Sequence, residues 1–361
     1  MKTRRLIDKA RLILSLPKYL YRRFSPAGLP PKLQLLLTNR CNSRCKNCFI
    51  WKKYIDDPEG LRDEVRLEDY ERLFRDYGGS LEWLAVSGGE PTLRPDFIDI
   101  IRAAKKHNPG ISLVTINSNA LTPEKLISQA REISEFVPNL KIVLSLDGDK
   151  ETHDDIRGVP GNYDRVVQVY RALRESDIEV ELECTVHDGN SSKAADYIRN
   201  HEFGKKTGVI SFSLFSSMYY SNDTRTKEQK EAAYVQIGAA MKDVEKAYVP
   251  KSLEFIVEKI FLRLAQHYLK NRQTPIPCGA GTNVITIDPY GNVSPCFLML
   301  GAANIKTDSI KKILSGKKFS EAAKNAKNLN CAKCWTNCYA LTSIFTYPDK
   351  AIVQYFKTPA K

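Results

Sequence analysis

The stretch Thr38-Asn39-Arg40-Cys41-Asn42-Ser43-Arg44-Cys45-Lys46-Asn47-Cys48-Phe49 decides how the rest of the chain is read. Its cysteines stand in the spacing C-x3-C-x2-C. Three thiolates can hold three irons of a cubic [4Fe-4S] cluster and leave the fourth iron open to a ligand that is not protein. A zinc site needs a fourth Cys or His to close its tetrahedron. The first His in the chain is His107, so a remote cysteine is what could close such a site, and zinc stays open on this stretch alone. Disulfides fit poorly: the nine cysteines are an odd number, and no secretory signal with a small-residue cleavage site begins the chain.

Outward from the cysteines, β and α signals alternate. Lys32–Leu37 is an apolar strand that feeds the cysteine loop, and the spacing predicts further strands at Trp83–Ser87, Ser112–Ile116, Lys141–Leu146, Glu179–Val186 and Val209–Phe215. Helical periodicity falls between them at Leu67–Tyr77, Pro95–His107, Pro123–Phe136, Tyr163–Arg174 and Ser192–His201. Six βα units in succession imply an α/β fold with a parallel sheet and right-handed crossovers. They fall short of the eight units of a closed barrel. Ligands of such sheets gather at the carboxyl ends of strands. The cysteine loop, Gly88-Gly89-Glu90-Pro91, Asn117–Asn119 and Asp147 all lie at such ends.

The cysteine spacing followed by Ser87-Gly88-Gly89-Glu90-Pro91 at the end of the second strand resembles the signature of the radical S-adenosylmethionine (SAM) superfamily. The resemblance implies an open partial (β/α)6 TIM-like barrel, a [4Fe-4S] cluster on Cys41, Cys45 and Cys48, and SAM on the open iron. SAM is then cleaved to methionine and a 5′-deoxyadenosyl radical. In the family the Gly88-Gly89-Glu90-Pro91 type of turn receives the methionine amino group. Ser145, Asp147 and Arg157 resemble the fourth-strand region, where small polar groups and an arginine reach the ribose and carboxylate. Asn119 stands where relatives show Thr-Asn-Gly, with Ala120 in place of the glycine. Thr185 and Asn190 are weaker candidates on the fifth strand. The bland readings are a turn-forming Asp147-Gly148 and a surface ion pair for Arg157.

Cys184 reads as a core thiol within an alternating strand. The other five cysteines crowd the last quarter of the chain. Cys278-Gly279-Ala280-Gly281 opens a stretch that turns at Pro289-Tyr290-Gly291-Asn292 and ends on Cys296, and Cys331, Cys334 and Cys338 follow as C-x2-C-x3-C. This pattern resembles the SPASM and twitch extensions of radical SAM proteins, a small Cys-rich domain of β-hairpin and helix. A full SPASM domain has seven cysteines and two auxiliary clusters. Five cysteines favour one auxiliary [4Fe-4S] cluster, on Cys278, Cys296, Cys331 and Cys334, with Cys338 spare or an alternative ligand. Four cysteines on zinc are the structural alternative. Relatives that mature sulfatases have an aspartate beside an auxiliary-cluster ligand; here Phe297 follows Cys296, so no catalytic base is assigned.

Bulk properties bound the rest. Hydrophobic residues make up 42% of 361, ample for a core, and no run approaches a membrane span. Of the net charge of +13, much sits in residues 1–23, where eight basic residues face Asp8 alone. Leu6, Ile7, Ala10, Ile13, Leu14 and Tyr21 give that segment an apolar stripe, mostly in steps of three and four. It reads as a lid helix on the barrel or as a basic amphipathic helix lying on an anionic membrane surface. Nucleic acid finds no motif. The expected division is a basic helix over 1–24, the core barrel over 25–220, a helical bridge over 221–271 and the auxiliary-cluster domain over 272–361. The expected function is that of a radical SAM oxidoreductase or maturase acting on a peptide or protein. A membrane lipid, polyprenyl or sugar substrate is the alternative, and a non-catalytic Fe–S or zinc protein the rival from another class. A reducing partner such as flavodoxin or ferredoxin is implied, in a cytoplasmic setting with peripheral membrane contact through residues 1–23 as an option.

Overall fold

The computed structural model describes residues 17–25, 28–57, 59–212, 225–249, 253–299, 301–331 and 333–359. Of the apolar stripe expected in the N-terminal segment, residues 6–14 lie outside them, and Tyr21 is exposed and not part of a buried face. Among the described residues nine strands form one sheet: β1 Lys32–Leu36, β2 Trp83–Ser87, β3 Leu113–Ser118, β4 Leu140–Ser145, β5 Glu179–Val186, β6 Thr207–Phe212, β7 Val284–Ile287, β8 Asn292–Ser294 and β9 Ala303–Asn304. The sheet order is β6-β5-β4-β3-β2-β1-β7-β8-β9. β1 to β6 pair parallel in chain order, as six βα units require.

β1 shows why both faces of this sheet are buried. Leu33 and Leu35 point outward into the main core with Tyr70, Leu73 and Phe74 of the helix Leu67–Tyr77. That helix buries Tyr70, Leu73, Phe74 and Tyr77, one stripe at helical spacing, and ends on Gly78 at φ +55. Lys32 and Gln34 point inward and line a cavity of about 230 Å³ inside the curved sheet. Its floor is closed by Asn337, Cys338, Leu341 and Phe345 of the helix Asn337–Thr346 and by Val257 and Glu258 of the helix Leu253–Asn271.

Several elements differ from the sequence reading. The hairpin β7–β8 does not stand in a sheet of its own: β7 pairs parallel with β1, from Lys32↔Val284 to Leu35↔Ile287, and so continues the barrel sheet. Short helices at Ile50–Asp56 and Lys150–Arg157 follow the cysteine loop and β4. β6 is described to Phe212, and residues 213–224 lie outside the description. The helical bridge is a pair, Lys227–Ala247 and Leu253–Asn271, the first opened by a capping box of Thr226 and Gln229.

The described end of the basic N-terminal segment packs on the body. Tyr19 and Arg22 are buried, and Arg22 donates from Nε and Nη2 to the Thr282 carbonyl at 3.1 and 2.9 Å. Lys18 pairs with Glu82, and Arg23 with Asp349 at 2.5 Å. Among the described residues no helix is long and apolar enough to cross a membrane.

Candidate active site

The cysteine loop leaves the carboxyl end of β1 and is braced from three sides. Glu64 accepts from Thr38 Oγ1 and the Asn39 N–H, both at 2.8 Å. Arg94 holds the Leu37 carbonyl at 3.1 Å and the Val65 carbonyl at 2.5 Å. Tyr290, on the β7–β8 turn, accepts from Asn39 Nδ2 at 3.0 Å. These partners come from segments far apart in sequence, so no local pattern announces them.

The Gly88-Gly89-Glu90-Pro91 turn lies directly on this loop. Gly89 N–H donates to the Thr38 carbonyl and Glu90 N–H to the Arg40 carbonyl, both at 2.7 Å. A Cβ on Gly89 would stand 2.2 Å from the Arg40 oxygen, and Gly88 has φ +125 with the Thr38 oxygen 2.7 Å from its Cβ position. Glycine is required at both by close backbone approach. The buried Glu90 carboxylate accepts from Thr92 Oγ1 at 2.6 Å, Ser118 Oγ at 2.9 Å and the Asn119 N–H at 2.8 Å. Burial pushes the Glu90 carboxyl up, opposed by these donors. Pro91 opens the short turn that follows. Glu90 thus ties the end of β2 to the end of β3.

Asn119 closes the second side. Its Nδ2 donates to Asn42 Oδ1 at 2.8 Å and stands 3.8 Å from Cys41 Sγ. Ala120 takes φ +58, so it does adopt the left-handed conformation for which glycine is the usual choice.

Asp147 and Arg157 close the third. Asp147 Oδ2 accepts from Arg157 Nε at 2.7 Å, and Arg157 Nη1 lies 3.8 Å from Cys45 Sγ. Burial favours the neutral Asp147 acid, but Arg157, His153 and the Thr185 N–H hold its carboxyl below the ordinary value. Thr185 N–H meets Asp147 Oδ1 at 3.1 Å, and Asn190 Nδ2 reaches the carbonyls of Asp147 and Thr185 at 3.0 and 2.9 Å. His153, in the helix Lys150–Arg157, accepts the Asp147 N–H at Nδ1 (3.1 Å) and faces Asn162 Oδ1 at Nε2 (3.1 Å). The backbone donor fixes the tautomer, with the proton on Nε2. Ser145, last in β4, pairs with Glu183 across the strands. Ser43, which no motif singled out, stands 3.0 Å from Cys45 Sγ through its hydroxyl.

Cys41, Asn119, Cys45, Asp147 and Arg157 therefore meet above the carboxyl ends of the strands. Burial raises the Cys41 thiol to about 12 and the Cys48 thiol to about 11, with the neighbouring cysteines adding to both. Among the described residues no three His, Cys, Asp or Glu side chains are grouped to hold one metal ion. Three thiols on one loop, with Arg157 as the adjacent cation, suit a cluster that takes each sulfur on a separate iron as thiolate.

The C-terminal cysteines divide. Burial and then Cys334, Cys278 and Cys331 push the Cys296 thiol up, and Cys334 is raised to about 12 by burial and then by Cys278 and Cys331. These thiols therefore feel one another electrostatically, without three of them being grouped on one point among the described residues. Cys338 lines the barrel cavity and also packs, like Cys278, against the small apolar cluster around Cys296 and Tyr339; burial raises its thiol, Lys32 lowers it and Glu183 adds to the rise. Cys184 is fully buried in the main core.

Comparison with known proteins agrees with this layout. The profile of the Radical SAM superfamily matches residues 35–199, and that of the SPASM iron–sulfur cluster-binding domain matches residues 278–338. An AdoMet-dependent heme synthase of Methanosarcina barkeri is 25% identical over 284 residues, 72% of this chain and 78% of that one. A PqqA peptide cyclase of Streptomyces rochei is 25% identical over 275 residues, 74% of this chain and 70% of that one. Against four other curated relatives the chain spans between 36% and 58% of their length. The solved structure of anSMEcpe with bound AdoMet and a Cp18Cys peptide has the same fold, at TM-score 0.58 and 19% identity over 91% of this chain and 96% of that one. On the two matching profiles and the site they enclose, the chain belongs to the radical SAM superfamily as an enzyme with a SPASM-type iron–sulfur domain.

Proposed function

We propose that this enzyme modifies a C–H bond of a peptide or protein segment held in the barrel cavity, with SAM bound between that cavity and the cysteine loop. The observation that carries the reading is the meeting of Asn119 with Cys41 and of Arg157 with Cys45, each at 3.8 Å, at the same end of the barrel. When bound, the reduced [4Fe-4S] cluster and SAM supply a deoxyadenosyl radical that removes a hydrogen atom. The chain's own residues do the positioning. Cys41, Cys45 and Cys48 would hold the cluster, and the Gly88–Pro91 turn would present its backbone to the methionine amino group. Asn119, Ser145, Asp147 and Arg157 would surround the rest of SAM. Arg157 brings a guanidinium, whose fork suits a carboxylate, to within reach of the cluster.

Cys278, Cys296, Cys331 and Cys334 would hold one auxiliary [4Fe-4S] cluster, a donor set that four soft thiolates suit. A flavodoxin- or ferredoxin-type partner would supply the electron. A peptide substrate is supported by the peptide cyclase among the relatives and by the peptide bound in the anSMEcpe structure. The cavity of about 230 Å³ also suits one extended segment and no folded partner. The test is anaerobic reconstitution followed by dithionite and SAM. Release of 5′-deoxyadenosine and methionine is expected; no release from protein with its cluster intact overturns the reading.

A further inference from the structure

Lys32 begins β1, so its ammonium lies at the end of the barrel opposite the cysteine loop. The residue is 3% exposed. Its Nζ donates to the Cys338 carbonyl at 3.2 Å and sits 3.7 Å over the Trp83 ring. Among the described residues no carboxylate pairs with it. The other lysine of the cavity, Lys141, is held between Glu179 at 3.2 Å and Glu181 at 3.3 Å. An ammonium taken out of water without an anion is costly. Such a group is retained at a cost unless something negative completes it. On the cavity wall Asn117 Nδ2 meets Glu183 Oε2 at 3.2 Å, a carboxylate that favours donors and repels a second anion.

We propose that Lys32 anchors a carboxylate of the substrate at the floor of the barrel, while Glu183 and Asn117 receive an amide or amine of the same molecule. One unmatched cation neutralises one negative charge, which points to a monoanionic carboxylate and not to a phosphate dianion. The substrate segment is thus a chain end or an acidic side chain of a peptide. This rests on the reading of the barrel as the substrate chamber.

The test titrates the reconstituted full chain, with SAM present, with N-acetylglycine and with N-acetylglycinamide, followed by ligand-observed NMR. A charge-assisted hydrogen bond predicts that the acid binds at least about tenfold more tightly than the amide. That preference should vanish in Lys32→Met and persist in Lys32→Arg. Equal affinity for acid and amide, binding of neither up to the solubility limit, or a preference that survives in Lys32→Met each overturns the proposal. The comparison of acid with amide on the unmodified enzyme decides even where a variant misfolds. SAM cleavage is assayed on the same preparations. Acid preference without 5′-deoxyadenosine release would keep the anchor and sink the radical reading, and release without preference would do the reverse.

Discussion

Arg157 donates to the buried Asp147 carboxylate at 2.7 Å while its outer nitrogen stands 3.8 Å from Cys45. One guanidinium thus completes a buried ion pair and faces the iron–sulfur loop. Removing one partner of such a pair strands a charge and costs about 3–5 kcal/mol. Arg157→Met is therefore expected to destabilise by about 3 kcal/mol, and Arg157→Met/Asp147→Asn by clearly less than the sum of the single changes. Urea unfolding of the four proteins measures the coupling, and additive effects would show that the pair does not act as a unit.

The same cluster sets an acid limit. Burial and the nearby Arg157 lower His153 to about 4, against about 6.5 for a free imidazole. Between those values the unfolded chain binds the extra proton, so stability is full above about pH 6.5 and falls as pH drops toward 4. The loss attributable to this residue is about 3 kcal/mol. Asp147 works in the same direction at lower pH, because its depressed carboxyl must be protonated on acid unfolding. His153→Gln should flatten the profile between pH 6.5 and 4. The imidazole Cε1–H resonance should stay unshifted down to about pH 4, and a titration near 6.5 would contradict the buried neutral form.

The cysteine loop and Gly88–Pro91 were legible because their chemistry demands fixed residue types at fixed spacing. The strands β2 and β5 were legible to the residue, β2 as a short continuous apolar run and β5 as a period-two run, each ending sharply at a turn signal. The pairing of β7 with β1 was not, since Lys32 and its neighbour Asn283 lie 251 positions apart (283 − 32) and local periodicity carries no register. The roles of Glu64, Arg94 and Ser43 were hidden for the same reason. Ala120 shows how a departure from a motif is absorbed. Left-handed strain of roughly 1–2 kcal/mol is offset by a buried methyl, about 0.8 kcal/mol, and by the chain entropy that glycine loses, about 0.4–1 kcal/mol.

The contact between Gly89 and the Arg40 carbonyl leaves no volume for a side chain. Gly89→Ala must push the turn off the cysteine loop, because the obstructing atom is backbone and cannot rotate away. The expected result is a loss of about 1–3 kcal/mol from overpacking together with loss of the roughly four irons of the N-terminal site. Iron assay after anaerobic reconstitution reads this directly. Full iron content and unchanged SAM cleavage in the variant would mean that the two loops separate without consequence.

Cys338 offers the sharpest division among the C-terminal cysteines. Its thiol is acted on by Lys32 and Glu183, whereas the thiols of Cys278, Cys296 and Cys334 are each raised by other cysteines of that set. Cys338 touches both the cavity and the apolar cluster around Cys296, so a role as ligand would draw its thiol off the cavity wall. The helix Asn337–Thr346 is pinned by Tyr339, whose hydroxyl meets Thr286 Oγ1 at 2.5 Å and accepts the Phe297 N–H at 2.9 Å. Cys338→Ala is therefore expected to retain roughly eight irons per chain, while Cys278→Ala and Cys296→Ala each fall to roughly four. Iron and sulfide analysis of the three variants checks this, and a loss of roughly four irons in Cys338→Ala would make that residue a ligand and require the helix to sit differently once the cluster is bound.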